Sequence, residues 1–270
     1  MRRTPGIRVQ PAAKRRGGAA SSSDKVKKPP PGNRRLKTLE RVLSKAGLGS
    51  RTEARQWIAA RRVRVNGQVV VDADRWIDLD RDRILFDGKP LSEQRKTYVL
   101  LYKPKGYLTT YDDPQGRPTI YDLLPDRERY LFSAGRLDLD TSGLLILTND
   151  TAFAERITNP DYKVPKTYLV KASRFLSEED LDRLRNGVEL RDGMTKPAIV
   201  TRVREAGGRT VFEMTISEGR NRQVRRMVEA LEAKVLKLVR VAIGPVRIGD
   251  LAIGKARELT PAEVRALVSF

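Results

Sequence analysis

Two aspartates two positions apart, Asp138 and Asp140, stand just before the apolar run "GLLILT" in the stretch "AGRLDLDTSGLLILTND", residues 134–150. A carboxylate beside a buried strand is costly unless a partner or a reaction uses it. If the segment is extended, positions i and i+2 share a face. Three chemical readings stay open on these residues alone: a glycosidase acid/base couple, a metal-binding DxD, or one reactive carboxylate with a structural companion. Simple capping of the turn before the strand is the structural alternative. A second stretch, "SEGRNRQVRRMVEAL", sets Arg220, Arg222, Arg225 and Arg226 at a strand-to-helix junction. Guanidinium groups there bind phosphate or hold a carboxylate ionised. On helical spacing Arg225 and Arg226 lie on different faces, so at most one points inward. A third, "PKTYLVKAS", places Tyr168 in a strand that follows Lys166. A tyrosine in a pocket stacks on a base and still offers a hydroxyl, whereas in a strand it serves equally as core.

Composition narrows what these residues can do. The 270-residue chain has no cysteine and no histidine. Thiolate metal sites, disulfides, imidazole bases and the usual nucleophile–base pairs are therefore excluded. Chemistry must run on Asp, Glu, Tyr, Lys, Arg, Ser or Thr. The lack of cysteine fits a reducing compartment, and a cytoplasmic location is expected. A formal net charge of +20 points to a polyanion, with nucleic acid ahead of a membrane surface. No apolar run approaches the ~18 residues of a membrane span. The basic N-terminus lacks the apolar segment of a secretory signal. No glycine-rich phosphate loop of dinucleotide or P-loop type occurs.

Three pieces must position the candidate residues. Residues 1–37 carry twelve Lys and Arg against one acidic residue, Asp24, and so hold eleven of the twenty net charges. Their Pro, Gly and Ser content predicts a disordered basic arm suited to loose phosphate contacts. Residues 38–94 read as a small domain. Leu39, Val42, Leu43 and Ala46 fall on one helical face that stops at Gly47, and Ser50 with Glu53 forms a capping box for a second helix. That helix carries Arg51, Arg55, Arg61 and Arg62 around the apolar Ala54, Trp57 and Ile58. "VRVNGQVV" then alternates about Asn66-Gly67, a strong hairpin signal. "DADRWIDLDRD" lacks the central glycine and closing glutamate of a calcium loop and is expected to form turns. Residues 95–270 form the larger domain. "TYVLLY", "GLLILT", "TVFEMTIS", "KVLKLVRVAIG" and "VRIGDLAIG" read as strands. Helices are expected over 152–158, 177–186, 223–232 and 261–268, with Ser177/Asp180 and Thr260/Glu263 capping two of them. The pattern predicts an α+β fold: a mostly antiparallel mixed sheet with inserted helices, preceded by the small domain.

The small domain resembles the alpha-L RNA-binding module first seen in a small-subunit ribosomal protein. Behind it, "KPKGYLTTYDDPQGRPTIYDLL", "AGRLDLDTSGLLILTND", "KTYLV" and "EGRNRQVRRM" follow in order. The set resembles the bacterial ribosomal RNA pseudouridine synthases, in the branch shared by the small-subunit enzyme and the large-subunit synthase B, over about residues 38 to 260. A sibling branch usually has His before Arg-Leu-Asp, where this chain has Gly135. The resemblance implies that Asp138 is the catalytic aspartate, Tyr168 the base-stacking tyrosine and Arg225 the carboxylate's partner, with Arg220 left open as an alternative partner. It places Arg136 where the family fills the gap left by an extruded base, and Lys103, Lys105 and Arg117 in a substrate loop. Arg51, Arg55, Arg61 and Arg62 are then RNA contacts of the small domain.

Isomerising uridine oxidises nothing and releases no group, so no cofactor and no metal are expected, in keeping with the lack of His and Cys. The resemblance implies an rRNA partner, large-subunit rRNA near the peptidyl-transferase region first and small-subunit rRNA second. A monomer is expected. A non-catalytic RNA-binding assembly factor is the rival from another class, and it has no need of the full Asp138, Tyr168 and Arg225 set. If the basic arm touches phosphate, deleting residues 1–36 lowers RNA affinity and flattens its dependence on salt in a filter-binding titration, whereas an unchanged slope means the arm is idle.

Overall fold

The computed structural model describes residues 36–92, 95–124 and 130–270. The arm expected over residues 1–37 therefore lies outside the described residues as far as residue 35. Leu36 and Lys37 do not belong to it. They open a strand, β1 (Leu36–Thr38), that pairs antiparallel with β4 (Trp76–Asp78). The stretch expected to hold only turns thus supplies a strand, because Ile77 has an apolar cluster to enter and is fully buried in it.

Between these strands lie α1 (Leu39–Lys45), α2 (Arg51–Ala59), β2 (Val63–Val65) and β3 (Gln68–Val69); β5 (Ile84–Phe86) and β6 (Lys89–Pro90) follow. The Ser50–Glu53 capping box forms in full at the start of α2. Asn66 and Gly67 both take positive φ, 52° and 82°, as a two-residue hairpin of the twist-matching type requires. Leu39, Leu43, Ala54, Ile58 and Val63 close the core of this domain with no exposure.

The larger domain runs β7 (Tyr98–Lys103), β8 (Phe132–Ala134), β9 (Ser142–Thr148), α3 (Thr151–Thr158), β10 (Lys166–Ala172) and α4 (Glu178–Asn186). It continues through a short hairpin of β11 (Glu189–Leu190) and β12 (Gly193–Met194), then β13 (Ile199–Glu205), β14 (Thr210–Ile216) and α5 (Gln223–Glu229). It ends with β15 (Val235–Ile243), β16 (Val246–Arg247), β17 (Ala256–Glu258) and α6 (Pro261–Val268). The main sheet has the order β13-β14-β10-β15-β9-β7-β17, with β8 on β9 and β16 on β15. Its pairings are antiparallel except β15 with β9. Both capping boxes expected for α4 and α6 are present. Two elements are shorter than expected. "VRIGDLAIG" keeps only β16 as strand, and the helix expected over 223–232 stops at Glu229, with Glu232 turning back at φ 57°.

Packing explains why β9 reads as an unbroken apolar run. All seven of its residues are buried. One face meets α3 and α6 through Phe153, Ile157 and Leu267, and the other meets a 3-10 helix over Ile120–Leu123 through Ile120 and Leu124. The other half of the sheet packs Val170, Phe212 and Met214 against Leu181 of α4 and Met227 of α5.

The single parallel joint has a tight steric condition. Gly143 pairs with Arg240 across it, at φ 115°, and a Cβ there would collide with the Arg240 carbonyl oxygen. Gly143→Ala is expected to lower stability by at least about 2 kcal/mol in urea unfolding, because both the backbone angle and the contact forbid a side chain.

Candidate active site

The loop between β8 and β9 carries Asp138, and it is held by its backbone from several sides. Lys103, the last residue of β7, is fully buried and donates from Nζ to the carbonyl oxygens of Asp138 (3.0 Å), Thr141 (2.9 Å) and Pro104 (3.1 Å). The Gly106 N–H donates to the Leu139 carbonyl at 2.9 Å, and the Asp138 carbonyl accepts the Thr141 N–H at 3.1 Å. The Thr109 hydroxyl donates to the Leu137 carbonyl at 2.8 Å and accepts the Leu137 N–H at 3.3 Å. The segment is therefore a pinned turn and not an extended strand, and the shared face expected for Asp138 and Asp140 does not arise from strand alternation. Burial pushes the Lys103 ammonium down to about 8, against the pull of Asp138 and Asp140. Lys103 is thus no substrate-loop contact. It ends an apolar strand and has no route to solvent, so its donors go to the turn.

Helix α5 brings the guanidinium groups to the same turn, in an arrangement that differs from the expected one. Arg225 pairs with Asp140 and not with Asp138: its Nη2 lies 3.0 Å from Asp140 Oδ2, 3.1 Å from the Asp140 carbonyl and 3.4 Å from the Thr141 hydroxyl. Only 9% of its side chain is exposed. The cation that reaches Asp138 is Arg222, with Nη1 at 3.6 Å from Oδ2 and at 3.3 Å from Asp140 Oδ1. Arg222 caps α5 in the left-handed region at φ 48°, which throws its side chain back over the turn, while Arg225 sits a turn of helix deeper. Arg220 is not the partner of Asp138 either. Its guanidinium donates to the carbonyls of Asp192, Gly193 and Met194 and pairs with Glu218 at 3.3 Å, so it ties down the β11–β12 hairpin. Arg226 faces the other way, to Asp192 at 2.7 Å.

These elements enclose a cleft of about 500 Å³, within the ~300–1,000 Å³ usual for small-molecule sites. Asp138, Tyr168, Arg136, Lys166, Arg220, Arg222 and Arg240 all line it. Asp138 is 38% exposed at its side chain, neither sealed off nor free in solvent. Tyr168 is half-buried on β10. Lys105 is exposed, and Arg117 is spent on Asp113 at 2.7 Å, holding that carboxyl down at about 2.

In the small domain Arg51 and Arg55 both engage the carboxylate of Glu40, which is only 1% exposed, and Arg55 adds Asp74 at 2.8 Å. Arg62 pairs with Asp87 at 2.5 Å and lies over the rings of Trp57 and Phe86. Arg61 is exposed at φ 61°. Three of the four arginines expected to hold RNA thus have carboxylates in the protein, and Glu40, inside an apolar helix face, gives no hint in the sequence that it draws two of them.

A carboxylate on a pinned turn thus shares one cleft with a tyrosine ring and several cations. Comparison with known proteins identifies the class. Residues 97–230 match the RNA pseudouridylate synthase family and residues 38–75 the S4 domain family. The chain is 43% identical over 230 residues to an uncharacterized RNA pseudouridine synthase of Aquifex aeolicus (strain VF5), covering 85% of this chain and 92% of that one. It is 38% identical to the ribosomal large subunit pseudouridine synthase B of Bacillus subtilis (strain 168), over 86% of this chain and 96% of that one. A solved structure described as a pseudouridylate synthase superposes with a TM-score of 0.62 at 35% identity, covering 86% of this chain and 99% of the other. The chain belongs to the RNA pseudouridine synthases, isomerases of uridine in RNA, and carries an S4 RNA-binding domain ahead of the catalytic one.

The pinned turn makes a checkable claim. Lys103→Met leaves three carbonyls without their buried donor, each worth about 1–3 kcal/mol when unsatisfied, partly offset by the relief of burying a charge. The variant is expected to unfold at lower urea and to lose turnover on RNA, although Lys103 does not line the cleft.

Proposed function

We propose that this enzyme converts a uridine of large-subunit ribosomal RNA to pseudouridine, at a site near the peptidyl-transferase region, with Asp138 as its catalytic carboxylate. The observation that carries the reading is the meeting of Asp138, Tyr168 and Arg222 in one cleft, drawn from three separate elements. The choice of large-subunit rRNA rests on the likeness to the Bacillus subtilis enzyme of that name.

The uracil must leave its stack to reach Asp138, at a cost of a few kcal/mol that is smaller in a loop or a distorted site. Tyr168 offers its ring to the extruded base, and Arg136, exposed at the cleft, is placed to fill the gap in the RNA. Arg222 and Arg225 set two guanidinium groups against the Asp138–Asp140 pair, in a cleft that must also accept phosphate-rich substrate. Phosphate contacts from the S4 domain and the basic arm offset the unstacking.

Asp138→Asn preserves the shape of the turn, since Lys103 and Gly106 hold carbonyls and not the carboxyl. The variant is expected to bind rRNA with near-normal affinity while forming no pseudouridine, read by carbodiimide-dependent primer-extension stops. Retention of normal turnover on an unmodified rRNA fragment rejects the role of Asp138.

A further inference from the structure

Two cations on the sheet side of the cleft, Lys166 and Arg240, have no carboxylate partner among the described residues. Lys166 opens β10 two residues before Tyr168, so strand alternation sends both side chains to one face. Arg240 lies directly across from Tyr168 in the β10–β15 register and faces the same way. All three line the cleft. Arg240 is only 5% exposed; its Nε donates to the Leu144 carbonyl at 2.7 Å, but its Nη2 finds no acceptor among the described residues. Lys166 makes no hydrogen bond or ion pair with any described residue. Burial and the nearby Arg240 push its ammonium down to about 8.

Cations withdrawn from water without counterions, here the buried Arg240 and the half-buried Lys166, are costly, and a fold that merely needed to fill this space would use apolar residues. The acidic groups lining the cleft do not relieve them, because Asp138 faces Arg222 and Glu218 is engaged by Arg220 and Gln223. The cleft is therefore polarised, with a carboxylate on the turn side and unanswered cations on the sheet side.

Uridine isomerisation needs that polarity, and the role of these cations rests on the reaction proposed above. Breaking the N1–C1′ bond sends its electron pair out with the base, as a uracil anion whose charge spreads over N1, O2 and O4. The electron-poor ribose carbon stays with the Asp138 side. The base then turns, C5 uses the electron pair to bond C1′, the proton on C5 is lost and N1 regains one. Nothing is oxidised, and one full negative charge exists only while the base is free.

We infer that Lys166, backed by Arg240, neutralises the uracil anion while the base is detached from the ribose. Side chains at i and i+2 of a strand stand about 6.5 Å apart, so a ring stacked on Tyr168 has its edge within reach of the Lys166 ammonium. An interaction made only with the detached base raises the rate of the chemical step without tightening the binding of RNA. A phosphate contact from the same lysine would do the opposite.

The test separates these by measuring single-turnover rate and RNA affinity independently, on an unmodified large-subunit rRNA transcript, for the full chain and for Lys166→Met and Lys166→Arg. Lys166→Met is expected to slow the single-turnover rate about 100-fold, the scale for losing one donor to a developing anion, with affinity unchanged. Lys166→Arg is expected to recover most of the rate. An unchanged rate in Lys166→Met overturns the inference. A loss of affinity with the rate intact overturns it too, and assigns the lysine to a flanking phosphate. Should circular dichroism show Lys166→Met unfolded, Lys166→Gln carries the same comparison. If the unaltered chain forms no pseudouridine in the transcript, the proposed substrate is at fault and not the role of Lys166.

Discussion

The buried ammonium of Lys103 is the interaction on which the site depends. It reaches across from the end of β7 to the carbonyls of Asp138 and Thr141, closing the two ends of the turn that presents the Asp138 carboxylate. A turn between two strands leaves such carbonyls without ladder partners, and burying them unpaired is costly. One cation with three donors answers three acceptors at once, which offsets much of its own desolvation. Because Arg225 grips the Asp140 carbonyl from the opposite side, the backbone of the turn is held independently of the Asp138 side chain. That separation lets the carboxyl be aimed at the cleft while its support remains structural, the arrangement that accurate positioning of a reacting group requires.

Commitment of cations to backbone and carboxylate partners also reorders the positive charge of the protein. A net charge of +20 suggests a surface crowded with free cations, yet many arginines near the functional regions are committed to the fold. Arg51 and Arg55 enclose Glu40, Arg62 holds Asp87, Arg220 ties the β11–β12 hairpin and Arg226 meets Asp192. Planar guanidinium groups suit these multidentate roles. On the sheet side of the cleft, by contrast, none of the described carboxylates or carbonyls engages Lys166.

Sequence periodicity is enough to read most elements: the strands β7, β9, β14 and β15, the helices α3, α4 and α6, and the S4-like pair of helices with its hairpin all lie close to their expected spans. These have strong local causes in apolar alternation, capping boxes and an Asn-Gly turn. The failures lie where tertiary pairing decides. β1 and β4 are three residues each and exist only through one another. "VRIGDLAIG" alternates like a strand, but after β16 the chain turns at Gly249 and Gly254. At the site, residue types and order mark Asp138 and Tyr168, but spacing along a chain cannot say which of several nearby arginines meets a given carboxylate. The left-handed cap at Arg222 settles that, and no propensity for arginine announces it. Lys103 does carry a legible signal against a substrate loop: a lysine ending an apolar strand is more a candidate for burial than for solvent.

The parallel joint between β15 and β9 explains how motifs nearly a hundred residues apart become one cleft. Pairing of Val239 with Ser142 and of Arg240 with Gly143 sets the half of the sheet that carries Tyr168 and α5 beside the half that carries the Asp138 turn. Side chains alternate with a period of two, so a slip of one residue in this register would turn Arg240 away from the cleft and carry the Tyr168 face off the turn. Glycine at 143 enforces the register, because the Arg240 backbone approaches too closely for any other residue. The lone Gly in "TSGLLILT" is therefore as much a part of the site as the carboxylate five residues before it: the one sets where two halves of a sheet meet, and the other lines the cleft they form.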